Sequence, residues 1–230
     1  MESEAASVEV AVELRAACRA SGLVIEGLPA ALDRLEEDER AHVAICRAFV
    51  EAIGLGTASD AAVREAAPHD RAPSLLVLSY VLTGLAICES VSALRFATVR
   101  AHTDLPIPRA CLDRFLRDET THARLGFDLL PLAIMQHSRA VGRERAARDV
   151  EDELRATSRH LDLVVGLDAE RRGLTLIARD QPSDNPGVVE PMLDALTLYR
   201  GMERTIAPRL DRALAPLAVS ASRAWIDRWT

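Results

Sequence analysis

Two short stretches, 80 residues apart, carry side chains that could act on one centre together. One reads Arg117-Asp118-Glu119-Thr120-Thr121-His122-Ala123-Arg124-Leu125-Gly126, the other Glu37-Asp38-Glu39-Arg40-Ala41-His42-Val43. In each, a Glu precedes a His by three positions, so on a helix both side chains share a face and can grip one cation. Between the two stretches Glu89 stands alone in a long apolar segment. Two Glu-x-x-His pairs, with a Glu from each of two further helices, make the ligand set of a carboxylate-bridged dinuclear metal site in a four-helix bundle.

Chance alone does not explain the pattern. With 18 Glu and 6 His in 230 residues, a shuffled chain holds about 0.5 Glu-x-x-His pairs, so one copy means little. Requiring an Asp just before the Glu lowers the expectation to about 0.03. Two such copies occur.

From Ser74 to Val99 the only charged residues are Glu89 and Arg95. An ionised carboxylate in apolar surroundings costs several kcal/mol unless a positive charge meets it. Arg95 lies six positions on, about 240° around an ideal helix, and cannot share the face of Glu89. A pair of divalent cations would balance four glutamates. Carboxylate and imidazole donors suit iron or manganese better than thiophilic ions.

The fourth glutamate is expected at Glu4, on an apolar stripe with Val8 and Ala11, with Glu9 and Glu13 as solvated alternatives. Asp38 and Asp118 each precede a ligand Glu and could accept a hydrogen bond from the outer nitrogen of a ligand histidine; otherwise they are helix-surface residues. Phe49, Phe96 and Phe115 fall on the metal-facing sides by helical spacing, as a substrate-pocket wall or as ordinary core. Tyr80, nine positions before Glu89, should point about 180° away from it. Arg100 could anchor an anion or serve as a surface group. His69, His102, His137 and His160 lack ligand spacing and are expected on the surface or in loops.

The elements needed to hold these residues follow from periodicity and stop signals. Helices are expected over 2–20, from between Val24 and Pro29 to about Ile53, over 74–102 and over 108–136, with Pro131 bending the last. Ser21-Gly22 and the Pro-rich run 104–108 make two tight turns. A crossover of some twenty residues, with a short helix near Asp60–Ala67, joins the two hairpins. Asp104 lies midway between Glu89 and Glu119, and Ser21-Gly22 midway between Glu4 and Glu39, so each hairpin brings a lone Glu level with a Glu-x-x-His pair. Residues 1–137 are thus read as a four-helix core and 138–230 as a helical extension packed on it. The extension's helices are expected over 145–165, 188–200 and from Pro208 onward, with a loop at 181–187.

Composition fits an all-α chain: 49% hydrophobic but only 3% aromatic, with no alternating strand pattern. A net charge of −7 disfavours nucleic acid or an anionic membrane as partner. Cys18, Cys46, Cys88 and Cys111 form no Cys-x-x-Cys pair, which suggests reduced thiols and a cytoplasmic protein. The apolar run Leu75–Cys88 reads as a buried helix, too short to cross a bilayer.

The Asp-Glu-x-x-His stretches resemble those of ferritin-like diiron proteins, most closely the bacterial ferritin-like oxygenases with Asp-Glu-x-x-His-Ala-x-Leu-Gly. The resemblance covers residues 1–137. It implies a ferritin-like four-helix bundle with a long crossover between its second and third helices. It implies Glu4, Glu39, His42, Glu89, Glu119 and His122 as ligands, with Glu39 and Glu119 bridging, and two iron ions (or manganese) with O2 as co-substrate. In N-oxygenases of the family a third histidine stands one turn before the second Glu-x-x-His; here that position is Phe115. The expected activity is an oxygen-activating oxidoreductase that hydroxylates, N-oxygenates or desaturates a small organic molecule, with an external electron donor and a homodimer left open. The alternatives are ferroxidase, iron-handling or peroxide-scavenging activity, and a non-catalytic metal-binding helical module.

Overall fold

The computed structural model describes residues 2–52, 54, 70–164 and 191–227, and side chains within 6–52, 54, 70–161 and 195–227. Among the described residues it is all-α, without strands. Seven helices follow in order: α1 (Glu2–Ser21), α2 (Leu28–Ala52), α3 (Pro73–Ala101), α4 (Pro106–Val141), α5 (Arg143–Val164), α6 (191–214) and α7 (Ala221–Asp227). The short helix expected near Asp60–Ala67 and the loop at 181–187 lie outside the described residues.

Local chemistry sets the ends. The Leu23 N–H returns to Cys18 O and closes α1. Pro73 and Pro106 open α3 and α4, where a missing N–H costs nothing. Pro131 sits inside α4 without ending it, and the helix runs past residue 137, where the core was expected to stop, to Gly142 with φ 86°. Pro208 likewise does not start a new helix. A π segment, Met202–Ile206, precedes it within α6, and the widened turn makes room for the ring.

The contacts define the topology. Between α3 and α4, Arg100 meets Asp113, Phe96 meets Phe115, and Ser74 meets His137, so the two helices run antiparallel. Arg15, reaching Asp33 and Glu36, ties α1 to α2. Glu13 with Tyr80 ties α1 to α3, and His42 with Asp118 ties α2 to α4. One apolar core runs through all of this. It includes Leu14, Leu32, Leu82 and Leu130 from the first four helices, and Val150, Leu198, Leu210 and Trp225 from the last three. The C-terminal helices therefore share the core of the first four.

Close approach of α3 and α4 depends on Gly126, one turn beyond His122. A Cβ there would lie 2.5 Å from the backbone N of Ala86 and 2.6 Å from C of Leu85. Those residues belong to a nine-residue π segment, Tyr80–Cys88, ending where Glu89 begins. Because i→i+5 bonding widens each turn, the ideal angle that set Tyr80 opposite Glu89 does not apply; its hydroxyl donates to Glu13 instead.

At 29 residues, α3 is long and apolar enough to cross a membrane by length and composition, unlike the shorter run Leu75–Cys88 considered from sequence. In this fold 67% of its most apolar window is buried inside the protein.

Candidate metal centre

Ligand atoms of Glu39, Glu89, Glu119 and His122 gather within 4.8 Å of one another, all from buried residues. His42, fully buried, joins them: its Nδ1 lies 3.5 Å from Glu39 Oε2 and 3.5 Å from Glu119 Oε1. His122 Nδ1 lies 3.0 Å from Glu39 Oε1 and 4.0 Å from Glu119 Oε2. Both inner nitrogens thus face the same two carboxylates. Three helices supply this cluster, α2, α3 and α4. Glu4 lies in the first turns of α1, but its side chain is outside those described.

The polar atoms at the centre are poorly satisfied by one another. Both oxygens of Glu39, Oε2 of Glu119 and both ring nitrogens of His122 are buried without a hydrogen-bond partner among the described residues. The 3.0 Å approach of His122 to Glu39 is out of line for a hydrogen bond. Buried polar groups are normally paired, so a cluster of orphaned donors and acceptors has the character of a cation site. Its electrostatics agree. Burial, then the adjoining Glu89, push the Glu119 carboxyl up to about 11. Burial opposes a proton on His42, but Glu39, Glu119 and Asp118 outweigh it and raise its pKa to about 9. His122 is raised and Glu39 lowered by the same mutual attraction, against burial in both cases. Cys88, beside Glu89, is pushed up to about 12 by burial and then by that glutamate, so it stays a neutral thiol.

Outside the cluster, Asp118 Oδ2 lies 3.2 Å from His42 Nε2, and Asp38 Oδ2 lies 3.6 Å from His122 Nε2, beyond a direct hydrogen bond. Phe115 packs its ring edgewise on His42 at 4.7 Å and against Phe96 at 5.2 Å. Phe49 is half-buried on α2. Arg100 pairs with Asp113 on the surface. A cavity of about 210 Å³ beneath the α1–α2 turn, lined by Arg15, Cys18, Leu23 and Leu28, includes none of the cluster residues.

No family model, curated protein or solved structure matches this chain.

Two features escaped the sequence reading. His137, expected at the surface, is buried between Ser74 Oγ (3.0 Å from Nδ1) and Asp149 Oδ2 (2.9 Å from Nε2), joining α3, α4 and α5. Its partners lie 63 and 12 positions away, and no spacing rule connects them. Arg114 donates to both Asp38 and Asp118. For this one a signal existed: Arg34 and Arg114 each stand four residues before the repeated Asp-Glu-x-x-His.

Proposed function

We propose that this chain is an oxygen-activating non-haem diiron oxidoreductase on a ferritin-like four-helix bundle, acting on a small organic substrate. The observation that carries this reading is the way Glu39 and Glu119 each turn one oxygen toward His42 and the other toward His122. That arrangement suits two cations side by side rather than one. In this reading Glu39, Glu119, His42 and His122 would hold the two ions, the carboxylates between the two Nδ1 atoms, and Glu89 would supply a further carboxylate. Glu4 on α1 is its proposed counterpart. Oxygen and nitrogen donors without thiolate fit iron or manganese.

Bound there, two ferrous ions would supply electrons for the reduction of O2, with an external donor restoring them. The chain's own residues do the rest. Asp118 accepts from His42 Nε2–H and fixes the ring so that Nδ1 points inward. Glu119, His42 and His122, whose pKa values are all raised, would have to release their protons to act as ligands. Phe115 and Phe96 close one side with aromatic surface, excluding water and offering an apolar wall to a substrate.

The test is oxygen uptake by iron-loaded protein supplied with a reductant and a panel of small apolar and aromatic molecules. Uptake beyond that needed to oxidise the protein's own iron, coupled to product, is expected. Uptake that stops once that iron is oxidised, whatever is offered, would replace this reading with iron handling.

A further inference from the structure

Arg114 lies one turn before Asp118 on α4 and spans two helices. Its Nε donates to Asp118 Oδ2, and its Nη2 donates to Asp38 Oδ1 over 2.7 Å. The same Asp118 oxygen lies beside His42 Nε2, and the second Asp38 oxygen faces His122 Nε2. One guanidinium thus reaches both aspartates; through Asp118 it reaches the outer edge of His42, while Asp38 stands 3.6 Å from His122 Nε2, too far for a direct hydrogen bond. The repeat makes Arg34 its equivalent in α2, yet among the described residues Arg34 donates only to its own Asp38, at 3.0 Å, and its side chain is 65% exposed against 34% for Arg114. The sequence symmetry is broken, and only the α4 copy crosses between helices.

We infer that Arg114 is a positioning residue that ties α2 to α4 behind the centre: its planar fork sets the spacing of Asp38 and Asp118, and with it the aim of His42. This rests on the dinuclear reading above. A lysine would supply charge without the two-pronged geometry. Partners one shell out from a metal typically change its affinity by about 10–100-fold.

The experiment titrates cobalt(II) into the wild-type chain and into Arg114→Lys, Arg114→Gln and Arg34→Gln, following affinity, stoichiometry and the visible cobalt absorption. Both Arg114 variants should lose roughly 10–100-fold in affinity for at least one ion and show altered absorption, with Arg34→Gln affected less. Wild-type affinity and absorption in both Arg114 variants would overturn the inference. So would an equal loss in Arg34→Gln, which would reduce the effect to general charge. A metal-free arm separates the two claims. Arg114→Gln should lower Tm in the wild-type background and leave it unmoved once Asp38→Asn and Asp118→Asn are present. If the wild-type chain binds no metal, the functional reading fails while this cycle still decides the brace; equal Tm shifts in both backgrounds would sink it.

Discussion

Glu39 on α2 and Glu119 on α4 share the same two histidines. Each lies within 4.0 Å of both His42 Nδ1 and His122 Nδ1, one oxygen to each ring. If two ions bind as proposed, replacing either by Ala would remove a ligand common to both, whereas replacing Glu89 would remove a carboxylate from one side of the cluster. Glu39→Ala and Glu119→Ala should therefore lose both ions, and Glu89→Ala should retain part of the binding. Metal analysis after dialysis distinguishes the two patterns.

Protonation of the cluster makes the metal-free protein sensitive to alkali. The His42 pKa is raised to about 9 and that of Glu119 to about 11, so the folded chain holds more protons than the unfolded one. The stabilising contribution of His42 is complete below its ordinary value near 6.5 and fades as pH rises through 9. That of Glu119 fades from about 4.5 up to 11. Both act in one direction, so Tm in the presence of chelator should fall between pH 6.5 and 9. Metal-loaded protein, with its ligands already deprotonated, should lose less. A Tm that rises across this window without metal would contradict the assignment.

Gly126→Ala should be destabilising although it adds one methyl group. The new Cβ would overlap backbone atoms of the α3 π segment, which cannot step aside like a side-chain tip. A loss of about 1–3 kcal/mol is expected from overpacking of this kind, measured by chemical denaturation. Metal affinity should fall too, because Glu89 follows that segment directly.

His137 offers a contrast among the histidines. His137→Ala breaks a buried link between Ser74 and Asp149 and should cost about 2–4 kcal/mol of stability. Metal stoichiometry should stay unchanged. On one helix, 15 residues from His122 correspond to roughly 22 Å.

The sequence was most legible where periodicity and chemistry coincide. Helices α1 to α3 lie within a few residues of their expected bounds, because their apolar stripes run between strong stop signals, whereas α4 runs five residues past its expected end to Val141. The candidate residues on α2 and α4 were found because Glu-x-x-His is itself a helical spacing, and Glu89 on α3 because it is a lone carboxylate in an apolar helix. What escaped depends on contacts between helices. The burial of His137 is set by partners on two other helices, and the bridging role of Arg114 appears only once α2 lies against α4. The π segments were also hidden, since nothing in Tyr80–Cys88 or Met202–Ile206 announces i→i+5 bonding. One lies against Gly126 and the other ends just before Pro208.

The most direct measurement is an anaerobic titration of ferrous ion into the metal-free chain, by calorimetry with elemental analysis of the product. Two ions per chain are expected for the wild type, with loss of both on Glu119→Ala. Absence of binding, or a stoichiometry unmoved by that substitution, would contradict the dinuclear centre.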